Sequence, residues 1–190
     1  NNTFKNCYNL QNINGLDNVV KYGNSAFSNA GITTITLSSN NVTIGNETFK
    51  GSKIKTISNC RSIISIGTGA FQNAINLINF TANSLLMELP TYAFENCSSL
   101  EEIYLSGCTK NNCSFIGCSK LKNILFAILD FRSNIYAYDK YTGNITTLRG
   151  FAVPTSISTK SKYNGTIYYT IATNLEQAKK IAPYATFTQR

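Results

Sequence analysis

Six cysteines in a chain with no histidine are the residues whose type could support the most specific chemistry. Cys108, Cys113 and Cys118 are five apart, Cys60 stands alone, and Cys7 and Cys97 lie far from both. Zinc sites use paired C-x2-4-C segments, with a second pair or histidines. With no histidine in the chain, no metal and no cofactor is expected. A Cys108–Cys113 bridge stays open for an oxidising compartment. The carboxylates are the next candidates. Glu101 and Glu102 are adjacent on an expected strand, which should turn them to opposite faces. Asp130 and Asp139 fall in or near an irregular tail, and nothing places them together. No G-x-S-x-G, phosphate-binding glycine loop or paired histidine ligand occurs. The chain is therefore not expected to be an enzyme.

Seventeen basic residues against nine acidic ones give a formal charge of +8, a balance that favours anionic partners. The basic residues are scattered, however. Lys50, Lys53 and Lys55 form the densest group, with Lys160 and Lys162 a weaker second, and these read as solvated surface lysines. Nucleic acid is not an expected partner, because the aromatics are claimed by a core and no nucleic-acid module is visible. No apolar stretch is long enough to cross a membrane as a helix. Asn1-Asn2-Thr3-Phe4 has neither the charged start nor the apolar middle of a signal peptide. Asn-x-Ser/Thr triplets begin at Asn1, Asn41, Asn46, Asn96, Asn112, Asn144 and Asn164, as an Asn- and Thr-rich composition produces by itself.

What must position any of these residues is a repeat. Phe4, Phe27, Phe49, Phe71, Phe94 and Phe115 follow one another at 23, 22, 22, 23 and 21 residues. Three residues after each comes a small one: Cys7, Ala30, Ser52, Ala74, Cys97 and Cys118. Three of the six cysteines thus hold a small inward position, where a thiol acts as a small hydrophobe. Two apolar residues three apart come next, as Leu10/Ile13, Ile32/Ile35, Ile54/Ile57, Leu77/Phe80, Leu100/Ile103 and Leu121/Ile124. The second and third phrases lack one residue before the first aliphatic, which accounts for both 22-residue steps. A second apolar pair precedes the next phenylalanine: Val20/Tyr22, Val42/Ile44, Ile64/Ile66 and Met87/Leu89. Gly23, Gly45 and Gly67 follow three of these pairs, and Pro90 the fourth. The sixth unit breaks this half at Gly107-Cys108-Thr109-Lys110-Asn111-Asn112.

One such unit cannot bury its own apolar face, so units must stack into a continuous ladder. The L-x-x-I stretch alternates as a strand does, and neighbouring units should pair it into a parallel sheet. Phe-x-x-small should make a return turn whose ring plugs the interior. The glycine is expected to permit a sharp corner. Residues flanking the inward Ile then face solvent: Asn12/Asn14, Thr34/Thr36, Thr56/Ser58, Asn79/Thr81, Glu102/Tyr104 and Asn123/Leu125. Concave repeat sheets are common binding surfaces, and tyrosine is a frequent hot spot. The candidate ligand-binding residues are Thr34, Thr36, Thr56, Ser58, Asn79, Thr81, Glu102, Tyr104, Asn123 and Leu125.

Segments such as Val42-Thr43-Ile44-Gly45-Asn46-Glu47-Thr48-Phe49 and Ile66-Gly67-Thr68-Gly69-Ala70-Phe71-Gln72-Asn73-Ala74 resemble the BspA-like (Treponema pallidum-type) leucine-rich repeats. The resemblance covers about residues 3–126. Ala26, Ala70 and Ala93 supply the family's alanine before phenylalanine, and Thr48 and Ser114 depart from it. It implies a leucine-rich-repeat solenoid, right-handed and mainly parallel β with short helical turns. It also implies surface or secreted proteins of host-associated bacteria and some protozoan parasites, which adhere to host or microbial proteins and have no defined catalytic residues.

Residues 1–126 are thus expected to hold six units, the first truncated, and residues 127–190 a C-terminal α+β capping segment. In that segment Ile135-Tyr136-Ala137-Tyr138 and Ile145-Thr146-Thr147-Leu148 read as a hairpin, and 166–171 as a strand. A short helix over 175–182 would be capped by Asn174 and stopped by Pro183. Eight basic residues against three acidic ones there leave a separate binding module as the second reading. The expected function is an extracellular or cell-surface module, monomeric, that binds a protein of a host or another microbe through the concave face. The alternative is a non-catalytic accessory domain of a larger secreted enzyme. Because the first unit lacks its upstream strand half, the natural protein is expected to extend further N-terminally.

Overall fold

The computed structural model describes residues 1–105, 110–111, 115–126, 147–152, 166–171, 179 and 186–189. The L-x-x-I stretches form β2 (Thr34–Thr36), β4 (Thr56–Ser58), β6 (Asn79–Thr81), β8 (Glu102–Leu105) and β10 (Asn123–Phe126). They pair in parallel, in the order β2-β4 and β6-β8-β10, with Ile35 opposite Ile57, Phe80 opposite Ile103, and Ile103 opposite Ile124. Between β4 and β6 the step continues through the Ile78 N–H, which donates to the Lys55 carbonyl (3.3 Å). Around Leu10 and Ile13 in the first unit no strand forms, and both are only half-buried.

The second apolar pairs form β1 (Lys21–Tyr22), β3 (Val42–Ile44), β5 (Ile63–Ile66) and β7 (Glu88–Leu89). β1, β3 and β5 make one parallel sheet, and β7 pairs with β9 (Lys110–Asn111). The second residue of each pair is buried: Tyr22, Ile44, Ile66 and Leu89. The first is not always so. Val20 and Met87 are exposed, and a register shift in β5 sets Ile63 rather than Ile64 opposite Val42. Tyr22 stands where the other units carry an aliphatic, and its hydroxyl donates to the Leu16 carbonyl (3.0 Å). Burial, then the nearby Asp17 carboxylate, pushes its pKa up to about 12.

Between these strands the turns carry their own hydrogen-bond ladder. The N–H of Phe4, Phe27, Phe49 and Phe71 each donates to the carbonyl just before the next phenylalanine, at 2.8–2.9 Å. Two residues further on, the N–H of Asn6, Asn29, Gly51, Asn73 and Asn96 repeats the pattern at 2.7–2.8 Å. That stacking holds the rings of Phe27, Phe49, Phe71 and Phe94 parallel within 9°, with centroids 5.3–5.5 Å apart. Phe80 adds an edge-on ring against Phe71 and Phe94 (5.5 and 4.8 Å). Stacked and edge-on aromatics each add to what area burial alone contributes.

The turn geometry demands left-handed backbone at two positions per unit. Two residues after the phenylalanine it falls on Asn6, Asn29, Gly51, Asn73, Asn96 and Gly117, the types that adopt it most cheaply. Two residues before, it falls on Asn2, Ser25, Glu47, Gly69 and Tyr92.

Three repeat features take their physical reasons from contacts between units. Gly23, Gly45 and Gly67 do not have positive φ. A Cβ on Gly23 would lie 2.7 Å from Asn1 Oδ1, and one on Gly45 2.5 Å from Asn24 Oδ1; on Gly67 it would strike Asn46 Oδ1. These asparagines accept from the N–H of the next unit: Asn1 from Asn24, Asn24 from Asn46, and Asn46 from Thr68 (2.8, 2.9 and 3.0 Å). Close approach, not a corner, requires the glycine. Thr48, in place of the family's alanine, is fully buried, and its hydroxyl lies 2.8 Å from the Gly45 carbonyl and 3.1 Å from that of Gly23. Cys97 and Cys118 are buried at the small position, where their thiols donate to the carbonyls of Phe71 and Phe94 in the preceding unit. Cys7, at the same repeat position, is exposed, against expectation.

Three more strands lie past residue 126: β11 (Thr147–Ala152), β12 (Thr166–Ile171) and β13 (Thr186–Gln189). Each pairs in parallel, extending the long sheet in the order β6-β8-β10-β11-β12-β13. Thr147 and Leu148 are therefore not half of a hairpin, because parallel neighbours occupy both edges of their strand. Residues 135–138, Cys108, Cys113, Asp130, Asp139, Lys160, Lys162 and, apart from Lys179, residues 175–182 lie outside the described residues. Among the described residues, no helix is long and apolar enough to cross a membrane.

Candidate functional site

Alternation along each short strand sends its central residue into the core and its flanking residues outward. Ile35, Phe80 and Ile103 are buried, whereas Thr34, Thr36, Thr56, Ser58 and Asn79 are exposed and Thr81, Glu102 and Tyr104 half-buried. Strand register aligns them into two rows. One runs Thr34, Thr56 and then Asn79, Glu102, Asn123; the other runs Thr36, Ser58 and then Thr81, Tyr104, Leu125. Asn123 and Leu125 are placed by backbone register alone. Both rows continue into positions that the sequence pattern did not mark, Thr147, Thr166 and Thr186 in one, Arg149, Tyr168 and Thr188 in the other.

The surface is chemically mild. Its described charge is the Glu102 carboxylate, which accepts from the Tyr104 hydroxyl at 3.1 Å. That bond ties the largest side chain of the described rows to its neighbour two residues away, so part of the ordering cost of a tyrosine contact is already met. Asn12 and Asn14 belong to no strand, but they line a depression with Thr34 and Thr36 at the start of the rows.

Beside the rows, at the entry to the strands, a groove of about 370 Å³ runs across the repeats. Lys53, Lys55, Ser99, Glu101 and Lys120 are among its lining residues. Glu101 precedes β8 and lines this groove, whereas Glu102 lies half-buried in the outward row. The lysine group divides as well. Lys50 stays on the turn, where it bonds Glu47 (2.6 Å) and thereby holds that carboxyl below its usual pKa. The signal for the groove was in the sequence, as the positions just before and just after the first aliphatic of each unit.

The half-buried Cys60 and the buried Cys118 are not set up for chemistry. Burial pushes Cys60 and Cys118 up to about 12, far from the thiolate that reacts. At about pH 8, near the free thiol's pKa, a thiol reagent should label Cys7 in the native protein. Cys97 and Cys118 should react only on unfolding, as read by mapping labelled peptides. Fast native labelling of Cys118 would contradict its burial.

The sequence that builds these turns and strands matches a family model, described as the BspA type leucine rich repeat region, over residues 1–101 and 42–166 in six copies. The chain belongs to the BspA-type leucine-rich repeat family. The match runs past residue 126, where the phenylalanine phrase ends. Family membership assigns the chain to a class of repeat modules that bind proteins. No curated protein and no solved structure is similar enough to add a particular relative.

Proposed function

We propose that this BspA-type chain is an adhesion module of a cell surface or secreted protein, and that it binds a protein of a host or another microbe through the outward face of its long sheet. The observation that carries this reading is the pair of in-register rows. They form a broad and nearly neutral face, rich in hydroxyl and amide groups, with Tyr104 among them. Such a face suits a protein surface: small polar side chains adapt their hydrogen bonds, and an aromatic supplies contact area at low entropic cost. It does not suit catalysis, which needs groups with opposed protonation roles in reach of one another. Charge steering is weak here, so affinity should depend little on salt.

Surface plasmon resonance over immobilised host matrix proteins, at low and physiological salt, tests the reading. Saturable, salt-tolerant binding to a protein is expected, with Tyr104→Ala weakening it about tenfold or more, the scale of a hot-spot residue. Binding to polyanions alone, vanishing with salt, would overturn it.

A further inference from the structure

From the flank groove we infer a second binding site, for an extended acidic peptide segment whose carboxylates are four residues apart. This inference does not rest on the outward face, since its residues precede the strands. The repeat sets one residue before and one after the first aliphatic of each unit along this flank. In the third unit both are lysines, Lys53 and Lys55 around Ile54; in the sixth they are Lys120 and Lys122 around Leu121. All four are exposed. Among the described residues, Lys53, Lys55 and Lys120 enter no ion pair. The units between them carry Asn76 and Ile78, then Ser99 and Glu101. Backbone bonds fix the order across the flank: Lys55 N–H to the Thr33 carbonyl, Ile78 to Lys55, Glu101 to Ile78 and Lys122 to Glu101, at 2.7–3.3 Å.

The spacing selects the ligand. Three steps of about 4.8 Å separate the two lysine pairs, roughly 14 Å in all. An extended peptide covers that in about four residues at roughly 3.4 Å each. A carboxylate at each end meets a lysine pair, and the short side chains of Asn76 and Ser99 leave the backbone room between. Glu101 repels a third carboxylate there, so the residue above it should be neutral or basic. A polyanion with closely spaced charge would crowd Glu101 and fits less well.

Fluorescence anisotropy at low ionic strength, with a labelled Gly/Ser nonapeptide carrying two aspartates four apart, tests this directly. Binding should be saturable and tighter than to the same peptide with its aspartates adjacent. The double variants Lys53→Ala/Lys55→Ala and Lys120→Ala/Lys122→Ala should each weaken it about three- to tenfold, as expected for two exposed ion pairs. Lys21→Ala, in the other sheet, should leave it unchanged. Equal affinity for both peptides, equal loss in all three variants, or tighter binding of a sulfated oligosaccharide through the same lysines would overturn the proposal.

Discussion

Phe71→Ala should lower the free energy of unfolding by about 3–5 kcal/mol, the range for deleting a fully buried aromatic. Phe71 meets three other rings: Phe49 and Phe94 stack on its two faces at 5.4 and 5.3 Å, and Phe80 meets it edge-on at 5.5 Å. It is wholly buried, so no solvent would fill the gap without crossing the core. Units contact only their neighbours, so the loss should also divide the molecule. Urea unfolding followed by circular dichroism should change from one transition toward two. Phe71→Leu, which keeps most of the volume, should cost markedly less. A loss below about 1 kcal/mol would show that the ring ladder does not hold the units together.

Gly67→Ala should cost about 1–3 kcal/mol, as forced overpacking does, even though it adds one methyl group to a half-buried position. The methyl would strike the Asn46 side chain and also backbone, lying 2.5 Å from Asn46 N and 2.6 Å from the Gly45 carbonyl carbon. Backbone cannot rotate away as a flexible side chain can. Asn46→Gly added to Gly67→Ala should therefore fail to restore stability. Full rescue by that second change would mean the side chain alone sets the requirement. Thermal unfolding of the single and the double variant against the parent decides between these.

What was legible in the sequence was whatever the repeat states more than once. Phenylalanine at every unit gave the ladder, and alternation in Thr34-Ile35-Thr36 and Thr56-Ile57-Ser58 gave the outward rows. The glycine after the second apolar pair was visible but its reason was not. Its contact lies with an asparagine about one unit away in sequence, and local pattern carries no such information. Asn or Gly two residues after each phenylalanine was equally regular, and it marks the left-handed step of the turn. Pairing partners were the hardest to read. Thr166 to Ile171 has the composition of a strand in any sheet, whereas its parallel place beside β11 depends on which other strand it meets. The lysines at 53, 55, 120 and 122 look scattered in sequence and align only when the units are stacked.

The central claim is that the outward face of the long sheet binds a protein partner. The most direct test compares two variants by surface plasmon resonance against a ligand bound by the parent chain. Asn79→Arg/Thr81→Arg places two large cations on that face, and Thr43→Arg/Ser65→Arg places two on the solvent side of the β1-β3-β5 sheet. The account predicts at least about a tenfold loss for the first pair, since an unpaired charge in an interface is costly, and no change for the second. Loss confined to the second pair, or no saturable binding of the parent chain to any protein, would contradict it.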